Sequence, residues 1–407
     1  MDINDVLKLA AEKNASDIHL IAGDRPVLRI HGKLGALDSE PTTSENMAVI
    51  FESITNVNQR ESFRQNRELD FSYALPNGNR FRVNACMQQG TISLVFRIIR
   101  SNIPSIEKLG LPPICRELIL KPNGLVLLTG PTGCGKSTTL AAMIEYLNQT
   151  EDRRIITIED PIEYAYTSSR CVISQREVGL DTNSFAAALK HALRQDPDVI
   201  LVGEMRDMDT ASMVLMAAET GHLVLSTGHA SSVPISVERI VDLFPPHQQH
   251  LAQTRLAAVL QGVLCQELVP RLDGLGRVPA VEIMLANAAV RNLIRENKTH
   301  QLANVIRTSQ QIGMCTMDEA LLRLYHARLI CREDVLSRCV DTDEVTRILG
   351  KPIQVDNTKS GSRQFQDEIE RVMGKPTQPV SASGRGNKPI QESRHASGNQ
   401  PLTISHR

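Results

Sequence analysis

The chain has 407 residues, 41% of them hydrophobic, with a formal net charge of -1, 3% aromatic residues and no Trp. That length supplies two or three domain-sized cores, while the near-neutral charge and the scarcity of stacking surfaces exclude nucleic acid as the main partner. No apolar run approaches the ~20 residues of a membrane span, the amino terminus lacks a secretory layout, and eight cysteines without a C-x-x-C pair exclude a zinc site or a disulfide framework; a cytoplasmic location is expected.

The first predicted element is an amphipathic helix in MDINDVLKLAAEKN. SDIHL, PVLRIHGKL, two helical stretches and the run ELDFSYALPNGNRFRVNACMQQGTISLVFRII follow, with a Pro76-Asn77-Gly78 turn joining two alternating strands and a third strand after Gly90. Residues 1–100 therefore read as a small α+β domain with an antiparallel sheet. SNIPSIEKLGLPP, broken by prolines and a glycine, makes a linker over 101–113. From 114 to 285, GLVLLT, RIITIE, DVILVG and GHLVLST alternate with helical patterns, which predicts a parallel, doubly wound α/β sheet. Helical patterns fill 286–350, and the Ser-, Gly-, Asn- and Pro-rich segment 351–407 predicts a disordered tail.

Chemistry concentrates at five places. Gly130-Pro131-Thr132-Gly133-Cys134-Gly135-Lys136-Ser137-Thr138 fits G-x-x-x-x-G-K-[ST] between a predicted strand and a predicted helix. Backbone N–H groups and a helix N-terminus can then face phosphates, with Lys136 as a point charge and the Ser137 hydroxyl for Mg²⁺. This predicts ATP and Mg²⁺ as ligands. In RIITIEDPIEY the acids Glu159, Asp160 and Glu163 fall at the carboxyl end of a strand, the edge where open parallel sheets collect ligands. A carboxylate there can orient the water that attacks a γ-phosphate; the alternative is a solvated acidic loop. In LRQDPDVILVGEMRD, Glu204 stands at a strand end suited to Mg²⁺ or its bound water. His222 and His229 bracket the next strand. In RFRVNA, the two-residue spacing of Arg80 and Arg82 permits a joint anion clamp on one strand face.

Taken in order, GPTGCGKSTT, ITIEDPIEY, SQREVGLDT, RQDPDVILVGEMRD and TGHLVLSTGH resemble the secretion ATPase superfamily of type II secretion and type IV pili. RFRVNA and AVRNLIRE narrow the resemblance to the twitching-motility retraction ATPases of the PilT/PilU group. The resemblance implies a PAS-like amino-terminal domain, a RecA-like P-loop ATPase domain with a carboxy-terminal helical part, and a homohexamer at the cytoplasmic face of the inner membrane. It implies a pilus platform protein and a paralogous retraction ATPase as partners, with no nucleic acid. By motif, Glu163 is implied as general base, Glu204 as the Walker B acid, Arg82 and Arg97 as contacts of the γ-phosphate, and His229 as the histidine-box residue. The alternatives are a pilus-assembly or type II secretion ATPase and a non-hydrolysing accessory ring subunit. Two departures stand out: Cys134 replaces the usual Ser, where any small residue serves a loop that acts through backbone N–H groups, the alternative being a thiol whose pKa is lowered by Lys136 and the helix N-terminus; and Gly228 in STGHA is expected to loosen the backbone beside His229.

Overall fold

The Asp2 carboxylate accepts the Asn4 N–H at 2.9 Å and so starts α1 (Ile3–Glu12), which buries Ile3, Val6, Leu7 and Ala10 at i, i+3, i+4 and i+7. This comes from a computed structural model describing residues 2–350 apart from 14, 31, 77, 100 and 101; the expected polar tail lies outside the described residues. After α1 come β1 (Asp17–Leu20), β2 (Val27–Ile30), β3 (Lys33–Ala36), α2 (Ser44–Ile54), α3 (Val57–Asn66), β4 (Glu68–Ala74), β5 (Arg80–Gln88) and β6 (Thr91–Ile99). The six strands form one antiparallel sheet in the order β3-β2-β1-β6-β5-β4. Its inner face carries Ile18, Phe81, Val83, Leu94 and Phe96 into a core shared with α1 and α2. Because side chains alternate along a strand, burying Phe81 and Val83 turns Arg82 to the opposite face.

That outer face holds a polar row. Register places Ser72 of β4 opposite Arg82 of β5, Arg82 opposite Arg97 of β6, Arg97 opposite Asp17 of β1, and Asp17 opposite Arg29 of β2. Asp17 accepts the Arg97 Nε–H at 2.9 Å and lies 3.6 Å from Arg29. Burial alone would raise the Asp17 pKa, but the Arg97 and Ser16 hydrogen bonds outweigh it together and leave the carboxyl below its ordinary value.

Residues 103–111 do not hang between domains: Ile106 and Leu111 are buried in an apolar cluster with α4 (Ile114–Ile119), β7 (Gly124–Thr129) and α5 (Lys136–Thr150). The chain continues through β8 (Arg154–Glu159), β9 (Val172–Glu177), α6 (Phe185–Ala192), β10 (Val199–Val202), α7 (Met208–Glu219), β11 (Leu223–Thr227), α8 (Val233–Asp242), α9 (Pro246–Val259), β12 (Leu260–Pro270) and β13 (Arg277–Leu285). The sheet order is β13-β12-β7-β11-β10-β8-β9, parallel throughout except for β13. All six residues of β7 are buried, as a central parallel strand covered on both faces requires. The carboxyl ends of β7, β8, β10 and β11 therefore open on one edge.

The remaining helices are α10 (Ala288–Arg295), α11 (Leu302–Thr308), α12 (Met317–His326), α13 (Arg332–Arg338) and α14 (Thr342–Leu349). Val290, Ile294, Leu302 and Ile306 enter the core beneath α8 and α9, and Leu321, Val335 and Val345 cover β12 and β13. In α10 the basic residues have separate tasks. Arg291 donates from Nε to Ala286 O at 3.0 Å and from Nη1 to Ala257 O and Ala258 O at 2.5 and 2.7 Å, satisfying carbonyls at the end of α9. Arg295 is exposed and bonds only to Asn292 among the described residues, at 3.3 Å.

Arg291→Ala should therefore cost about 1–3 kcal/mol, the worth of charge-assisted bonds to partly buried carbonyls, while Arg295→Ala should stay within about 0.5 kcal/mol. Thermal denaturation of both variants checks this; equal Tm values would contradict the division of labour.

Candidate functional site

The phosphate loop owes its shape to glycines and to a glutamine behind it. Gly130, Gly133 and Gly135 have φ of 141°, 79° and 90°, conformations that favour glycine. A Cβ at Gly130 would lie 2.2 Å from the Gln266 carbonyl oxygen, so β12 leaves no room there. The buried Gln266 side chain donates to Cys134 O at 2.6 Å and accepts from the Thr139 hydroxyl at 2.8 Å, tying β12 to both the loop and the first turn of α5. Lys136 Nζ donates to Gly130 O and Pro131 O at 2.9 and 3.1 Å, which holds it across the loop mouth.

A cavity of about 700 Å³, within the range of small-molecule sites, opens in front of this loop and is lined by residues of both domains. Thr132, Gly133, Gly135, Lys136, Ser137 and Thr138 line it, whereas Gly130, Pro131 and Cys134 do not. Glu163, Glu204, His229, Arg82 and Arg97 all reach the same cavity. Arg80 is not in its lining; the residue paired with Arg82 is its cross-strand neighbour Arg97, so two strands rather than one make the basic pair. Like charges directly opposite on a sheet repel, and an anion between them removes that cost. Asp70 is the carboxylate nearest Arg82, at 3.9 Å from Nε.

The acids differ sharply in surroundings. Glu163 is exposed on the loop after β8. Glu159 is buried, accepts from the Thr157 hydroxyl at 2.6 Å and from Gln175 Nε2 at 3.2 Å, and is pushed by burial up to about 7. Glu204 bonds to the Arg206 guanidinium and lies 3.3 Å from His229 Nε2. Ser137 and Glu204 offer a hydroxyl and a carboxylate, and such oxygen donors suit Mg²⁺ that completes its shell with phosphate and water. Among the described residues no group of three or more His, Cys, Asp or Glu is placed to hold a metal by itself. His222 takes no part: its Nδ1 lies 2.9 Å from Ala217 O at the end of α7.

One alternative and one expectation need correction. The Cys134 thiol is buried and its pKa is raised, because desolvation exceeds the opposing pull of Lys136. Gly228 does not loosen its surroundings: its N–H bonds to Leu128 O at 3.0 Å, Ala230 N–H bonds to the Thr129 hydroxyl at 2.9 Å, and that hydroxyl donates back to Ala230 O at 3.2 Å. A Cβ at 228 would meet Thr129 at an ordinary 3.6 Å, so a larger side chain could be seated there. Arg206 and Arg277, which line the cavity, and Gln266, which braces the loop from β12, carry no motif signal in the sequence.

Glu159 yields a pH prediction. Its pKa rises from 4.5 to about 7 on folding, so the folded state binds the proton more tightly than the unfolded chain. Stability therefore falls as pH rises from 4.5 towards 7 and stays lower above it. Glu159→Gln should raise stability at pH 8, read as a higher Tm, by on the order of 3 kcal/mol at most, and change little at pH 4.5. A Tm gain equal at both pH values would contradict it. For Cys134, hydrogen peroxide should inactivate the wild type and Cys134→Ser at the same rate; selective protection by Ser would restore a reactive thiol.

The type II/IV secretion system protein family matches residues 1–328. The type IV pilus retractation ATPase PilT of Pseudomonas aeruginosa is 45% identical over 334 residues, 82% of this chain and 97% of the relative. The type IV pilus ATPase PilU of the same organism is 38% identical over 362 residues, 88% of this chain and 95% of the relative. A crystal structure of the pilus retraction motor PilT with bound ADP superposes with a TM-score of 0.79 at 44% identity, covering 85% of this chain and 99% of that one. The chain thus belongs to the type II/IV secretion system protein family.

Proposed function

We propose that this chain is an ATP-hydrolysing motor that retracts type IV pili, working as a homohexamer against a platform protein at the cytoplasmic face of the inner membrane. The observation that carries the reading is the single cavity where the phosphate loop, two strand-end acids and the small domain's arginine pair meet, in a chain similar to retraction ATPases along nearly their whole length. No helix among the described residues is long and apolar enough to cross a membrane, which suits a motor that reaches the membrane through partners.

The phosphate loop would grip the β- and γ-phosphates through backbone N–H groups and Lys136. Ser137 and Glu204 would hold Mg²⁺, which neutralises charge on the β- and γ-oxygens. Glu163, exposed to the cavity, would orient the attacking water and take its proton; the carboxylate of Glu159 is buried and already engaged by Thr157 and Gln175. Arg82 and Arg97 would stabilise charge on the transferring phosphoryl group. His229, within reach of Glu204, would report the state of that acid to the loop after β11.

The small domain has its own core, and residues 103–111 belong to the core of the other domain. Separate cores let nucleotide contacts change how the small domain seats, and rigid-body reseating round a ring is how turnover would become movement.

Lys136→Ala should weaken nucleotide binding, whereas Glu163→Gln and Glu204→Ala should keep binding and lose at least about tenfold in kcat. Wild-type turnover by the Glu163 variant would remove it from the base role. In cells, loss of the protein should leave excess surface pili and abolish twitching; bald cells would indicate assembly instead.

A further inference from the structure

The edge strand of the small sheet and the edge strand of the large one meet through one carboxylate. Glu177, the last residue of β9, is buried at 4% exposure and makes no ion pair among the described residues. Both its carboxylate oxygens lie 2.7 Å from the Ser72 hydroxyl of β4, and Oε2 also accepts the Ile162 N–H at 3.2 Å. The Glu177 backbone is held in turn: its N–H bonds to Asp181 Oδ2 at 2.8 Å, and its strand register is opposite Glu159. Each partner of this carboxylate has a neighbour at the cavity. Ser72 is the cross-strand partner of Arg82, and Ile162 directly precedes Glu163.

We infer that Glu177 is a positioning residue that registers the arginine row of the small domain against the loop carrying Glu163. The link runs from Arg82 through Ser72 and Glu177 to Ile162 and Glu163, and it rests on the reading of this cavity as the site of ATP hydrolysis. The physical reason is desolvation. A carboxylate without a cation, taken out of water, is stable only while its hydrogen bonds are complete. One donor, the Ile162 N–H, comes from its own domain; the other, Ser72, arrives only when the small sheet is seated. No ion pair crosses between the two domains among the described residues, so this neutral-to-anion bond is a fixed point of the seat. Unseating removes Ser72, lets water reach Glu177, and frees the loop before Glu163. Seating and the alignment of the attacking-water side are thereby one event.

The test uses the full chain in its assembled form with three single variants, Ser72→Ala, Ser72→Thr and Glu177→Ala, and one double variant. Ser72→Ala should lower kcat about tenfold while KM for ATP stays within about threefold, because alignment rather than binding is lost. Ser72→Thr, which keeps the hydroxyl on a strand that accepts β-branching, should recover most of kcat. The double variant Ser72→Ala with Glu177→Ala should be no slower than Glu177→Ala alone, as for two members of one link. Amide hydrogen exchange over residues 160–164 should quicken in Ser72→Ala although that residue lies in the other domain. Unchanged kcat and exchange in Ser72→Ala, or a double variant whose losses multiply, would overturn the link. Absence of ATP turnover in the wild type would instead overturn the functional reading, and the exchange measurement would still decide whether Ser72 holds the loop through Glu177.

Discussion

Two guanidinium groups, Arg82 and Arg97, sit directly opposite each other on adjacent antiparallel strands, where like charges repel. The surrounding structure manages that repulsion. Asp17 binds Arg97 from the next strand, and Asp70 approaches Arg82 no closer than 3.9 Å. One arginine is thus fixed and its neighbour left freer. The pair shares one cavity with the phosphate loop, and under the proposed function polyanionic phosphate would relieve the repulsion between the two arginines. The small domain's own apolar core lies on the other face of the sheet, so in the proposed function a bound phosphate would act on how that domain is seated rather than on how it folds.

The other half of the site rests on the carboxyl edge of the parallel sheet. β7, β8, β10 and β11 end there together because their apolar runs are in register. Thr129 then pins the loop of His229 to the strand that feeds the phosphate loop, and Gln266 braces that loop from behind. These contacts brace the phosphate side, and in the proposed function a change of nucleotide would be expressed in the seat of the small domain.

Much of this was legible beforehand. Period-two alternation showed the strands around Arg82, and continuous apolar runs showed β7, β8, β10 and β11. The phosphate loop and the acids at strand ends followed from residue types at fixed spacing. Three features were hidden, each for a physical reason. β12 follows α9 with no intervening turn residue, since Val259 ends the helix and Leu260 begins the strand, so the Gln266 brace had no punctuation to reveal it. An activated Cys134 thiol stands as an alternative in the sequence because its charged neighbours are visible there and its burial is not. The bonds of Arg291 to the end of α9 are not readable from AVRNLIRE because helical spacing does not show which carbonyls a long side chain can reach.

The central claim is that the small domain completes the chemical site with charge directed at the transferring phosphate. Arg82→Ala measures it most directly, because Arg82 has the weaker tie within its own sheet and its loss should disturb the fold least. The account predicts a fall in kcat of about tenfold or more with nucleotide affinity within about threefold, the mark of an interaction made mainly in the transition state. A variant that hydrolyses ATP at the wild-type rate would contradict it.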